Sequence, residues 1–362
     1  MREMCISGLG LAGGFGCGTA DLHAALECGE VETALCTQTR TQSIPVYRAD
    51  TTPLERYLNK RVLRRIDHFS RLALLGAFQA LEDAKNNFDF IPDHARLGVI
   101  LCSGYGALST TFRFLDSVMD DGDSFASPTA FSNSVHNAAA AHISMQLDIT
   151  GPGQTLSQFD HSFVSGVQQA QIWLEEQRVD AVLLGTVDEY CSVLGYCWER
   201  FLGAGATTRL QPFASTSSST LPGEGAAFFL LRPQQDGSNG YARISGAECG
   251  HLRGSSLQLD SGLRLILGCE GYPETLGLYR AHLPAPATVA CYTPLYGASP
   301  VAPAFDAAIA ALSLQRGETY PAPVTPPVDT GWTTLSKDTA VKNLTCVDFG
   351  VGGEYGVLHL QR

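Results

Sequence analysis

Gly151-Pro152-Gly153-Gln154-Thr155-Leu156-Ser157-Gln158-Phe159-Asp160-His161-Ser162-Phe163-Val164-Ser165-Gly166 is the stretch on which the reading of the chain turns. The Gly-Pro pair predicts a turn. A short strand follows, then a sharp turn, then a helical run to Gln177. Val179-Asp180-Ala181-Val182-Leu183-Leu184-Gly185 reads as the next strand. Strand, sharp turn and helix in this order have the cadence of a nucleophile elbow, which presents one side chain at the head of the helix.

Outward from this stretch, strands and helices keep alternating. Cys5-Ile6-Ser7 opens a strand that ends at Gly8-Leu9-Gly10. Helical periodicity runs through Ala20 to Leu26. It is stronger through Val62 to Lys85, where Ile66, Phe69, Leu72, Leu75, Phe78 and Leu81 fall near one stripe. Leu97 to Cys102 reads as a buried strand closed by Ser103-Gly104-Tyr105-Gly106, and Ala138 to Leu147 as a helix. Ala226 to Leu231 and Ala242 to Ser245 are strand-like, as is Thr288 to Cys291. Ala302 to Leu314 is helical, and Thr345 to Leu360 resembles a hairpin. Ser215 to Thr220 is a low-complexity loop. The polar stretch from Gln234 to Gly240 is the best boundary, dividing residues 1–233 from residues 240–362. Such alternation predicts an α/β layered fold.

Composition bounds the function. With 362 residues the chain can bury a sizeable core. A net charge of −12 argues against nucleic acid or an anionic membrane as partner. No apolar run reaches eighteen residues, and Met1-Arg2-Glu3-Met4 carries no signal pattern, so a cytoplasmic protein is expected. The eleven cysteines are scattered without C-x-x-C pairs, which predicts reduced thiols and no metal site. Gly8-Leu9-Gly10-Leu11-Ala12-Gly13 matches a dinucleotide fingerprint. The glycines that follow it, and the absence of an acidic residue ending a second strand, argue for a structural turn and no cofactor.

The motifs together resemble the β-ketoacyl synthases. Gly151-Pro152 through Gly166 is similar to G-P-x-x-T-V-S-T-A-C-A-S-G. Arg65-Ile66-Asp67-His68-Phe69 is similar to R-M-D-x-F, Ser103-Gly104-Tyr105-Gly106 to S-G-x-G, and Ser127-Pro128 with Asn137 to S-P-x-x-x-P-x-x-x-x-N. Gln211-Pro212-Phe213 with Gly223-Glu224-Gly225-Ala226-Ala227 resembles the R-P-F and G-E-G-A-A pair. Phe349-Gly350-Val351-Gly352-Gly353 resembles F-G-F-G-G. The resemblance implies a thiolase-like five-layered α-β-α-β-α fold built from two pseudo-duplicated halves, the second one shortened.

It also implies that the catalytic parts are missing together. Asp160 stands at the cysteine position, Val289 at the lysine, Pro294 at one histidine and Val351 at the gating phenylalanine. No H-G-T-G-T lies between Gly240 and Thr288. Apolar side chains cannot stabilise a developing oxyanion. The expectation is therefore a non-catalytic subunit resembling a type II polyketide chain-length factor, of the aryl polyene type. It would pair with a cysteine-bearing ketosynthase, meet acyl carrier protein only indirectly through that subunit, and help shape a polyketide or fatty-acyl tunnel. Tyr105, Ala130, Phe131, Ser134 and Val135 are the expected tunnel residues, with His136 and Asn137 toward the interface. The alternative is an enzyme with altered chemistry, malonyl decarboxylation or acyl transfer, using Asp160 or His161. Asp160 also suits a helix cap, His161 a structural role, and Cys102 and Cys191 inert buried thiols.

Overall fold

A computed structural model describes residues 3–39, 42–202, 207–235, 237, 239–253, 257–337 and 340–362. The strand expected at Cys5 runs from Met4 to Gly13 and is buried along its whole length. It has this central place because the main sheet has two arms that meet there. Outward through one arm the order is Met4–Gly13, Gly225–Pro233, Ala181–Asp188, Leu97–Ser103 and Gly153–Ser157. Through the other it is Arg243–His251, Glu354–Gln361, Asn343–Phe349, Arg264–Leu267 and Thr288–Ala290, extended by the short Thr333–Thr334. In both arms the successive pairings are antiparallel, antiparallel, parallel and parallel. The arms are stitched where Met4 pairs with Ile244 and Cys5 with Arg243.

Helices fill the layers around the arms. His68–Phe88 and Ala138–Gln146 cover the outer face of the first arm. Pro273–His282 covers that of the second. Ser162–Glu175 and Ala302–Arg316 lie in the core shared by both arms. The result is the five-layered thiolase-like fold. Ala302–Arg316 is alanine-rich and buried from Ala302 to Leu314, as a helix covered by sheet on two sides must be. Its Asp306 is buried and accepts a hydrogen bond of 2.5 Å from the Tyr296 hydroxyl.

The fingerprint-like glycines serve packing. A Cβ on Gly8 would come 2.3 Å from the Ala80 carbonyl oxygen, and one on Gly10 would come 1.9 Å from that of Gly76. The first strand thus lies directly against His68–Phe88, where any side chain would collide. The helix expected from Val62 is split into Lys60–Leu63 and His68–Phe88. Asp67 starts the second piece by accepting from the Ser70 N–H at 2.7 Å. All eleven cysteines are free, and six are buried. Among the described residues, no helix is long and apolar enough to cross a membrane.

Candidate functional site

The elbow is present. Gly153–Ser157 ends in the turn Phe159–His161, and Ser162–Glu175 begins at once. Phe159 takes a left-handed φ of 50°, a strained choice for a bulky residue, and is 64% exposed. Ser162 pins the turn. Its hydroxyl accepts from the Gln158 N–H at 2.7 Å and lies 3.0 Å from the Ser103 carbonyl, to which it can donate. The helix has no side-chain cap, so Asp160 does not act as one.

Around Asp160 the tertiary structure gathers further acids. Glu270 follows the strand Arg264–Leu267 and accepts from the Ser299 N–H at 3.1 Å. Asp348 lies near the end of Asn343–Phe349, and Glu354 opens the next strand. Burial, then repulsion from Glu354, lifts the Asp160 carboxyl to about 6. Burial, with repulsion from Asp160, raises Glu270 and Asp348 well above the carboxylate range. His161 is 8% exposed, and neither ring nitrogen has a hydrogen-bond partner. Its Nδ1 lies 3.8 Å from Asp348 Oδ2, and burial pushes it down to about 4. Neither Glu270, Asp348 nor Glu354 was singled out from the sequence. The available signal was an acid beside a strand-like run: just past one at Glu270, near the end of one at Asp348 and at the start of one at Glu354.

Tyr105 closes one side, its ring 5.8 Å from Phe159 and 6.2 Å from Trp198. Asp188 accepts from the backbone N–H groups of Gly104 and Tyr105, each at 2.8 Å, and from Ser103 Oγ at 3.0 Å. This holds the Ser103–Gly106 turn against the elbow. Among the described residues, no three His, Cys, Asp or Glu side chains are arranged to hold a metal ion.

Residues 31–237 match the sequence model of the beta-ketoacyl synthase N-terminal domain. The chain belongs to the β-ketoacyl synthase family. It is 27% identical over 260 residues to polyketide beta-ketoacyl synthase 1 of Streptomyces virginiae, covering 65% of this chain and 60% of that protein. It is 25% identical over 203 residues to 3-oxoacyl-acyl-carrier-protein synthase 2 of Staphylococcus aureus, covering 53% and 50%. The matches thus span little more than half the length of these relatives. Among solved structures, the ishigamide ketosynthase/chain length factor superposes with a TM-score of 0.84 at 17% identity, covering 99% of both chains. A Burkholderia phymatum beta-ketoacyl synthase superposes at 0.81 with 14% identity, covering both chains fully. These two likenesses establish the fold.

In this β-ketoacyl synthase family member the remaining expected site residues are dispersed. Val289 is buried in the outer core of the second arm, Pro294 is buried in the turn Thr293–Leu295, and Val351 is half-exposed. Ala130 is buried and lines a polar cleft of about 420 Å³ with Arg64, Arg65, Arg71 and Arg113. Phe131 is 56% exposed and packs on Phe114, ring centroids 5.4 Å apart. The Ser134 hydroxyl donates to the Phe131 carbonyl at 2.8 Å. Val135, His136 and Asn137 are exposed, with the His136 ring against Gly106. Tyr105 therefore belongs to the elbow, while Ala130 and Phe131 flank the helix Leu108–Asp121. Cys102 and Cys191 are buried, burial pushes both thiols up, and neither lies on the elbow.

Proposed function

We propose that the chain is a chain-length-factor-like subunit of a type II polyketide synthase, of the aryl polyene type. It has no condensing activity of its own and pairs with a cysteine-bearing ketosynthase. The observation that carries this reading is Asp160 on an intact elbow, with acids around it. Thioester condensation needs a thiolate and donors aimed at an oxyanion. This elbow offers a carboxylate, a neutral histidine and further carboxyls. The geometry of the elbow is kept while its chemistry is absent, as suits a partner that contributes shape. The repeated strand order supports dividing the chain into a half spanning residues 1–233 and a shortened half spanning residues 240–362.

Two surfaces support the pairing. Gly153–Ser157 is an edge strand, open on its outer side to another strand. Near the segment 130–137 the apolar side chains of Leu115, Met119, Phe125, Phe131 and Val135 stand exposed. Exposed apolar area of this kind marks a protein contact. The partner's tunnel would run to this face, with Tyr105, Ala130, Phe131, Ser134 and Val135 as its far wall and His136 and Asn137 at the contact.

A net charge of −12 disfavours docking of an acidic acyl carrier. The arginine cleft favours a direct, shared role in carrier docking. Lys60, Arg61, Arg64, Arg65 and Arg71 lie within twelve residues, and Arg113 joins them in space. Arg64, Arg65 and Arg113 have no carboxylate partner among the described residues. One solved relative, with a TM-score of 0.73 at 15% identity, is a type II polyketide acyl carrier protein in complex with its ketosynthase.

Co-expression with a cysteine-bearing ketosynthase, followed by native mass spectrometry, tests the reading. A heterodimer is expected, burying on the order of 2,000–5,000 Å² as obligate interfaces do. A stable monomer that ignores the ketosynthase would overturn it.

A further inference from the structure

We propose that the outward face of the helix Leu108–Asp121 pairs with the same face of a second copy of this chain, antiparallel about a two-fold axis near Ser117. The pairing is measured on the chain alone, so it stands or falls separately from the partner-subunit reading.

Three observations converge. First, the helix has almost no cover. Of its 14 residues only Thr110 is buried. Leu115 and Met119, one turn apart, are 46% and 82% exposed. The exposed run continues unbroken from Met119 to Phe125. Apolar side chains aligned along one exposed side of a helix mark a face that packs on another element.

Second, the charges on this helix lack partners. Arg113, Asp116 and Asp120 recur at three- and four-residue spacing, so they share one side, beside the apolar stripe. All three are exposed, and among the described residues none is in an ion pair. Asp116 and Asp120 repel each other one turn apart. Asp120 and Asp121 stand in the last turn, where the helix dipole disfavours a carboxylate and no basic residue offsets them. Both costs fall when a cation from elsewhere comes alongside.

Third, the order of the charges is self-complementary. In an isologous pair each contact occurs twice, residue i on j and j on i. With the axis near Ser117, Leu115 meets the partner's Met119 and Arg113 meets the partner's Asp120. The two-fold keeps each flank of the helix on its own side, so apolar stripe faces apolar stripe and charged flank faces charged flank. A uniformly basic partner would set a like charge against Arg113, and an acidic one would oppose the aspartates. A surface with both signs in reversed order fits, and this helix supplies it. Arg113 and Asp116 also line a cleft of about 520 Å³, which leaves room for a neighbour's side chains. A single helix pair is a small contact, in the weak class below about 1,200 Å². It covers apolar side chains that the ketosynthase contact would use, so the two exclude each other.

Sedimentation equilibrium on the purified chain tests the pairing. A reversible monomer–dimer equilibrium is expected, weakening as salt is raised. Arg113→Glu alone, and Asp116→Lys combined with Asp120→Lys, should each weaken it about tenfold or more, because each sets like charges face to face. Mixed in equal amounts, the two variants should pair again with wild-type affinity, since each reversed charge then meets its complement. Met119→Ser should weaken the wild-type dimer and, introduced into both variants, the mixed one. Lysine near a helix C-terminus favours the helix, so lost pairing is not lost folding, which circular dichroism verifies. If Arg113→Glu does not fold, Arg113→Gln takes its place and the losses in the single proteins decide. The proposal is overturned by a chain that stays monomeric, by a dimer indifferent to both charge variants, or by a mixture that stays dissociated.

Discussion

The Tyr105 backbone N–H donates to Asp188 Oδ1 at 2.8 Å, across the boundary between two parallel strands. Asp188 ends the strand Ala181–Asp188, and Tyr105 follows the neighbouring Leu97–Ser103. The same carboxyl takes the Gly104 N–H and the Ser103 hydroxyl. One buried side chain therefore sets the turn that carries a tunnel candidate, and it does so through the backbone.

Asp188→Ala should cost roughly 2–4 kcal/mol, since buried donors left without an acceptor each lose about 1–3 kcal/mol and some will find water. Asp188→Asn should cost less, because its amide oxygen still accepts. Urea denaturation of the chain, alone or in its complex, measures both. Equal stability of wild type and Asp188→Ala would show that the turn holds itself.

Asp160→Cys should not create a condensing enzyme. By the family resemblance the lysine and histidine positions would still hold Val289 and Pro294, which can neither donate to a developing enolate nor move a proton. Intact-protein mass after incubation with acyl and malonyl carrier proteins should show no acyl adduct on the wild-type chain and no elongated product from the variant. Product from Asp160→Cys alone would mean that the donors are present after all.

Asp306 makes stability depend on pH. Burial lifts its carboxyl to about 7 from an ordinary 3.8, against the lowering effect of the Tyr296 hydrogen bond. The folded state therefore holds its proton where the unfolded chain has lost it. The stability this gives is fully present below about pH 4 and is lost as pH rises to about 7. Asp306→Asn keeps an acceptor for Tyr296 and has no proton to lose. It should gain on the wild type by on the order of a few kcal/mol between pH 4 and pH 8. Parallel curves of Tm against pH for the two proteins would disprove the assignment.

The arginine cleft predicts a salt-dependent carrier contact. Arg64→Glu combined with Arg65→Glu should raise the carrier KM of the complex about tenfold, equivalent to about 1.4 kcal/mol. The gap should shrink above 0.5 M salt, where the screening length is only a few ångströms. An unchanged KM would leave docking to the other subunit.

Chain length reports on the wall. Ala130→Phe adds a ring where Ala130 is already buried, and overpacking costs about 1–3 kcal/mol. Products should shorten. Phe131→Ala removes a ring that is more than half exposed in the isolated chain, so stability should change little while products lengthen or broaden. Chromatographic product profiles, taken after the complex is verified, decide. An unchanged distribution in both would make the segment a scaffold.

Much of this fold was readable in the chain itself. The alternation of apolar runs, the elbow around Asp160 and the long stripe from Ile66 to Leu81 are local patterns, and backbone sterics and burial impose them within a few residues. That Asp160 stands in the turn before the helix was equally visible in the sequence; that it takes a cysteine's place is what the family resemblance implies. What the chain could not disclose depends on distant partners. The Asp67 cap that splits a seemingly continuous helix is a local contact to Ser70 hidden under a continuous apolar stripe. The meeting of the two arms at Met4 and Ile244 depends on tertiary placement. The acids at residues 270, 348 and 354 lie 110 or more positions from Asp160 and come near it only because strand order brings the ends of their strands together. Net charge is a sum over the chain and carries no position. The −12 total concealed both an arginine cleft and a set of buried acids around Asp160, and only the folded arrangement separates the two.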